Sequence, residues 1–240
     1  MKAHYFVATV ALLAMLVWRW LSGCDCERRD LEGRVYIVTG GTDGLGLEVC
    51  KGLFQMGAHV VIPGRNRTKL ESADLAILAD LDTAPPSAKV TLEDMDLQSL
   101  GQVRAFVGAF KKRGLPLDGL ILNAAAIPAI ARPSADGMQE ILQTNHVAHF
   151  ALAQLLVEDL ARTGEMRGEP SRIVSVSSLN HYFGSLNFSE IAEGRVMPAA
   201  EYEGIVAYAH TKLMNSVFAG EAQRRIDASD ALRGKVLAVS

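Results

Sequence analysis

Cysteine is scarce in this sequence, with three residues among 240, too few for the disulfide framework of a small secreted scaffold. An excess of either charge is missing too. Twenty-four Lys and Arg face 27 Asp and Glu, for a net charge of −3 and a pI of about 6.1, so nothing suggests a nucleic-acid partner. There is no internal repeat and no low-complexity tract, which excludes a repeat array. What is present is a chain 49% hydrophobic and 21% charged, long enough for one α/β domain with a sizeable core.

The chain has one long apolar run, from Ala3 to Leu21. Its uninterrupted part, Tyr5 to Trp18 with one Thr9, is short for a membrane span. Adding Trp20 and Leu21 reaches about the length a bilayer needs, with Arg19 close enough to the end to snorkel. Trp18 and Trp20 suit the headgroup belt. Three readings compete. A cleaved signal peptide fits the length, but an aromatic end with Arg19 is a poor cleavage region. Leu21-Ser22-Gly23-Cys24 looks like a bacterial lipoprotein cleavage box. The preferred reading is an uncleaved signal anchor over residues 1–23. Arg19, Arg28, Arg29 and Arg34 follow the run, against Lys2 before it, so the positive-inside rule puts the globular domain in the cytosol. A single-pass location in the endoplasmic reticulum membrane is the expectation. Cys24 and Cys26 are then juxtamembrane and open to palmitoylation, whereas Cys50 is a small core residue.

Residues 24–33 are polar and charged and read as a linker. From there strand-like and helix-like segments alternate to residue 240. Strands are expected at 34–39, 59–62, 89–93, 119–122 and 172–177, with a sixth beginning at 235–239. Helices are expected at 45–56, 68–81, 99–112, 136–162 and 205–226. Gly57 is a good helix stop, and Ala84-Pro85-Pro86-Ser87 breaks the second helix. Strands alternating with helices of this length imply an α/β fold with a doubly wound parallel sheet over residues 34–240. Such sheets bind ligands at the carboxyl ends of their strands.

Three local patterns carry chemistry. The first strand ends in Thr39-Gly40-Gly41-Thr42-Asp43-Gly44-Leu45-Gly46, followed by a helix. Glycines allow the tight turn and let a pyrophosphate approach the backbone, and the helix start supplies free N–H groups. At the end of the second strand the carboxylate that would bind the ribose of NAD is absent. Gly64 and Arg65 stand there instead, and a guanidinium suits the 2′-phosphate of NADP better; Arg67 and Lys69 could assist. Third, Tyr208 and Lys212 lie four residues apart in a helical stretch, on one face. A neighbouring ammonium favours the phenolate and lowers the tyrosine pKa from about 10 toward the working range. The pair could then exchange a proton with an alcohol or carbonyl oxygen.

In this order the motifs make residues 34–240 resemble the short-chain dehydrogenase/reductase family. Thr39-Gly-x-x-x-Gly44-x-Gly46 is similar to its cofactor motif and Tyr208-x-x-x-Lys212 to its catalytic motif. Asp96, with Leu97 beside it, looks like the family's adenine contact. Leu122-Asn123-Ala124-Ala125 stands where the family has Asn-Asn-Ala-Gly, with Asn123 retained. Asn145 matches the asparagine of the long helix, and Ser178 the catalytic serine. The resemblance implies that Tyr208 is the general acid/base and that Lys212 activates it and holds the nicotinamide ribose. It implies that Ser178 orients the substrate oxygen, that Ser177 is structural, and that Asn145 anchors a water in the proton relay. His146, His149, His181 and His210 read as helix-face or loop residues, and no metal site is expected.

The stretch between Ser178 and Tyr208, containing Leu186-Asn187-Phe188 and Tyr202, resembles the retinol dehydrogenase-like branch. It implies a lipophilic alcohol or carbonyl substrate: a retinoid, a steroid or a lipid aldehyde. Family members often pair through their long helices, which implies a homodimer. They also continue past the sixth strand with a Pro-Gly turn, a substrate-covering region and a seventh strand. The expectation is therefore either a fragment of a longer protein or a shortened form. Two function classes remain, an NADP-dependent membrane-anchored oxidoreductase and a catalytically weak nucleotide-binding or scaffold protein.

Overall fold

Six parallel strands form one sheet in the order β3-β2-β1-β4-β5-β6, in a computed structural model that describes residues 29–79, 84–186 and 202–240. The strands are β1 (Val35–Val38), β2 (His59–Gly64), β3 (Lys89–Asp94), β4 (Gly119–Leu122), β5 (Ser171–Ser175) and β6 (Val236–Val239). The helices between them are α1 (Gly44–Gln55), α2 (Arg67–Leu78), α3 (Leu100–Lys112), α4 (Ala148–Arg167) and α5 (Gly204–Ala228). The expected apolar segment at residues 3–21 lies outside the described residues. Among the described residues no helix is long and apolar enough to cross a membrane.

Register follows from burial on both faces. In the central strand Ile37 pairs with Val61 on one side and Leu120 on the other. These three side chains share one face with Val35 and Leu122, packed against Phe106 of α3 and Leu152 of α4. Alternate residues Val38, Val60, Ile62 and Ile121 face the other way, against Cys50 and Phe54 of α1 and Leu70 of α2. A one-residue slip would exchange the two sets, so the period of two pins the pairing. The strand order reverses between β1 and β4, which opens a crevice at their carboxyl ends.

At the opposite edge a buried carboxylate ties the chain's entry to its long helix. Asp118 Oδ2 accepts the Val35 N–H at 2.9 Å. Its Oδ1 accepts from Arg167 Nε at 3.0 Å and lies 3.5 Å from Arg34 Nη1.

Three expected elements differ from what the chain adopts. The helix expected over 136–162 is not continuous. Asp136 accepts the Leu100 N–H at 2.7 Å and so caps α3, Gly137 is left-handed at φ +80°, and Pro133 bridges to Gln139. Helical structure begins only at Glu140, passes through a π turn at Gln143–Val147 and continues as α4 to Arg167. Gly168, at φ +70°, ends it. The fifth strand stops at Ser175 rather than residue 177. Its last sheet bond runs from the Val176 N–H to the Leu122 carbonyl, and Ser177 Oγ turns to donate to the Lys212 carbonyl at 2.8 Å. Helix α2 begins at Arg67 under an Asn66 cap and ends at Leu78; residues 80–83 lie outside the described residues.

Replacing Asp118 leaves the Val35 N–H without its acceptor and takes one carboxylate partner from Arg34 and Arg167, which keep Glu169 and the Gly33 carbonyl respectively. Asp118→Ala is expected to cost about 2–3 kcal/mol, read as a lower urea midpoint at unchanged m-value.

Candidate active site

The crevice at the strand carboxyl ends is a cleft of about 700 Å³, within the usual range for small-molecule sites. It gathers residues far apart in the chain. The first turn contributes Gly40, Thr42, Asp43, Gly44, Leu45 and Gly46, and the ends of β2 and β3 contribute Arg65, Asp96 and Leu97. Asn123 follows β4, Ser178 follows β5, and Tyr208 and Lys212 come from α5. Of the residues expected at the site, Thr39, Asn145 and the assisting Arg67 do not line it; Thr39 and Asn145 are fully buried behind its wall, and Arg67 pairs with Glu71.

Two glycines of the turn, Gly40 and Gly46, have no room for a side chain. A Cβ on Gly46 would lie 2.1 Å from the Gly40 carbonyl oxygen, and one on Gly40, at φ +66°, would lie 2.8 Å from the Ala124 Cα. The first turn of α1 has no side-chain cap, because the Asp43 carboxylate goes to Lys69 at 2.9 Å. Free N–H groups beside backbone left bare at Gly40 and Gly46 fit a dinucleotide pyrophosphate. Leu122, where the family has asparagine, is a buried core residue. Ala125, where it has glycine, needs no left-handed backbone, since among the described residues only glycines have positive φ. Asn123 is turned back onto the turn, its Nδ2 donating to the carbonyls of Thr39 at 3.1 Å and Gly40 at 3.3 Å.

Tyr208 and Lys212 share one face of α5, with Lys212 Nζ 5.5 Å from the Tyr208 ring centroid. Lys212 is 2% exposed, and Nζ donates to the Val176 carbonyl at 2.6 Å. Burial pulls its ammonium down from 10.5 to about 8, because desolvation disfavours the charged form. Ser178 begins a short 3₁₀ turn (Leu179–Phe183), and its Oγ accepts the Asn180 N–H at 3.3 Å. Asn145 sits in the π turn. It pairs with both main-chain groups of Ala126, at 2.8 and 3.0 Å, and Nδ2 also reaches Thr211 Oγ1 at 3.2 Å. Thr211 in turn donates to the Tyr208 carbonyl at 2.8 Å. Asn145 is therefore joined to the helix that carries Tyr208 and Lys212.

Several residues that shape the site carried no motif in the sequence. The Val176 carbonyl holds Lys212 and, at 3.5 Å, Asn215 Nδ2. Asn215 Oδ1 is in turn 3.0 Å from His146 Nδ1. His149, read as a helix-face or loop residue, is 2% exposed and bonded at both ring nitrogens. Asn145 and His149 are four residues apart, so helical spacing hinted at their contact; the link from α4 to Thr39 is visible only in three dimensions.

This arrangement, a doubly wound sheet with a glycine turn facing a Tyr–Lys pair, is a nucleotide-dependent oxidoreductase type. A short chain dehydrogenase family profile matches residues 34–190, and the chain belongs to the short-chain dehydrogenase/reductase family, in its retinol dehydrogenase-like branch. It is 37% identical over 207 residues to the chicken WW domain-containing oxidoreductase, covering 83% of this chain and 47% of that protein. It is 34% identical to human polyprenol dehydrogenase, covering 93% of this chain and 65% of the relative. To human retinol dehydrogenase 11 it is 33% identical, covering 87% and 61%. The chain thus spans about half to under two thirds of the length of these relatives. Among solved structures, an uncharacterized protein from Mycobacterium paratuberculosis matches with a TM-score of 0.66 and 30% identity, over 84% of this chain and 66% of that one. A Pseudomonas aeruginosa RhlG/NADP active-site complex matches with a TM-score of 0.63 and 22% identity, over 83% and 69%.

Between about 8 and 10.5 the unfolded chain holds the Lys212 proton and the folded chain has lost it, so stability from this group rises with pH across that window. At pH 7 the buried charge is a cost. Lys212→Met is expected to be more stable than the parent by about 1–2 kcal/mol at pH 7, with the gap narrowing toward pH 10. Paired thermal melts at the two pH values measure this.

Proposed function

We propose that this protein is an NADP-dependent oxidoreductase that interconverts a lipophilic alcohol and its carbonyl by hydride transfer, with Tyr208 as the acid/base. The observation that carries the reading is the convergence of the glycine turn, Ser178, Tyr208 and Lys212 on one cleft. When bound, the nicotinamide cofactor supplies or accepts the hydride. The chain's own residues do the rest. Tyr208 moves the proton at the substrate oxygen, Lys212, with Nζ 5.5 Å from the Tyr208 ring centroid, holds the ribose, and Ser178 orients the oxygen. Asn145 supports the relay from behind, through its bond to Thr211.

For the cofactor, Gly64 at the end of β2 offers no carboxylate to a 2′-hydroxyl. Arg65 is 59% exposed in the cleft, and its Nη1 is 3.7 Å from Asp96 Oδ2. An exposed pair this long is weak, so a 2′-phosphate displaces it at little cost. The NADP named in the RhlG complex is consistent with this preference. For the substrate, support comes from exposed apolar side chains on the elements flanking the catalytic residues. Leu179, Tyr182 and Phe183 follow Ser178, and Ile205 lies one turn before Tyr208. The names of retinol dehydrogenase 11 and polyprenol dehydrogenase point to the same class, a retinoid or another lipid alcohol or aldehyde. The apolar run at residues 3–21 supports a membrane location, proposed as the endoplasmic reticulum, with the domain on the cytosolic side.

Tyr208→Phe is expected to lower kcat/KM for a lipophilic aldehyde by about 100- to 10,000-fold while NADPH affinity, read by cofactor fluorescence, stays within about twofold. Retained turnover would reject the mechanism. Loss of turnover is also what separates this reading from a nucleotide-binding scaffold, for which the parent protein shows no turnover to lose. Arg65→Ala is expected to weaken NADPH at least about tenfold, roughly 1.4 kcal/mol, and to leave NADH nearly unchanged. An unaltered NADPH-to-NADH ratio would reject the Arg65 assignment.

A further inference from the structure

His149 lies one turn beyond Asn145, where the π turn passes into α4. Its ring bridges two parts of the site that are otherwise far apart in sequence. Nδ1 is 3.2 Å from the Asn145 carbonyl oxygen and Nε2 is 2.9 Å from Thr39 Oγ1. A carbonyl oxygen only accepts, so Nδ1 carries the hydrogen and, in a neutral ring, Nε2 accepts the Thr39 hydroxyl proton. The Thr39 oxygen is then left with two acceptor positions, and two donors fill them: the Asn123 N–H at 3.0 Å and the Ala124 N–H at 3.1 Å. Each polar atom in this cluster is satisfied by one tautomer and one hydroxyl orientation.

We propose that His149 is a positioning residue that sets the spacing between the loop facing the cofactor and the turn carrying Asn145, through one hydrogen bond to each. It goes beyond the roles given above to Asn145, Tyr208 and Lys212, and it rests on the oxidoreductase reading. Burial holds the ring near a pKa of about 3, so it stays neutral throughout the working range. The titratable groups that act on it are Lys212 and His146, and burial lowers His146 as well. The geometry has a chemical reason. A neutral imidazole is rigid, and its two nitrogens act at opposite ends as donor and acceptor. A protonated ring would present Nε2–H to Thr39 and force the hydroxyl to turn to the Ile121 carbonyl, 3.3 Å away.

The two contacts can be removed separately. An asparagine amide mimics Nδ1 and keeps the Asn145 bond; a glutamine oxygen mimics Nε2 and keeps the Thr39 bond. Two readouts are taken on the protein: the NADPH Kd by fluorescence titration, which needs no turnover, and the pH at which kcat falls on the acid side. His149→Leu is expected to raise the NADPH Kd at least about fivefold, to lower kcat about tenfold, and to move the acid limb by about half a pH unit or more. His149→Gln is expected to keep the Kd within about twofold and to show the displaced limb. His149→Asn is expected to keep the limb and show the weaker Kd. The proposal is overturned if all three match the parent, or if Gln and Asn shift both readouts together, as a merely structural residue would. It is also overturned if none of the three folds by circular dichroism while the parent does. Tyr208→Phe runs alongside: if that variant stays active the acid/base reading fails, and the NADPH arm still tests His149 on its own.

Discussion

Thr39 is buried at the end of β1, and its hydroxyl oxygen receives two main-chain N–H groups from the segment after β4 while standing 2.9 Å from a histidine of α4. Three segments far apart in the sequence are joined at this one atom. The chain leaves β1 and β4 for helices on opposite faces of the sheet, and the ladder between the two strands ends at the Thr39 N–H, so it does not hold the cleft's rear wall beyond that point. A side-chain hydroxyl with one hydrogen and two lone pairs does so, because all three positions are used. The close approach of Gly40 to Ala124 depends on the same contacts, since the turn is drawn against the segment that they hold.

The second constraint is the burial of Lys212. Its stem runs through a packed helix face, and its head reaches a main-chain carbonyl that β5 has released by ending at Ser175. The short strand and the buried ammonium are therefore one feature. A longer strand would have used the Val176 carbonyl in the ladder, and Lys212 would have lost its acceptor. A charged group held this way costs stability and gives a cation fixed 5.5 Å from the Tyr208 ring centroid.

Helix α4 shows where pattern reading fails. Apolar spacing from residue 136 suggested one long helix. Asp136 instead satisfies the start of α3, and the chain turns back before a π turn carries Asn145 into place. Nothing local in those residues distinguishes a helix start from a cap for a different helix, since aspartate serves both. The histidines do sit in helices and turns, but their partners were not legible. Their spacing places them on helix faces, and whether a face meets solvent, core or a neighbouring hydroxyl is not a local property.

The sequence by itself determined the α/β alternation, the parallel sheet, the glycine turn, the missing carboxylate after β2 and the pairing of Tyr208 with Lys212. These follow from periods of 2 and 3.6 residues and from backbone freedom, which act over a few positions. Only the tertiary structure decided which faces of α4 and α5 meet, that Asn145 reaches Tyr208 through Thr211, and that His149 closes on Thr39. Those contacts span 66 and 110 residues of chain. They arise when separate helices pack on one sheet, where each buried polar atom must find a partner the chain does not supply nearby.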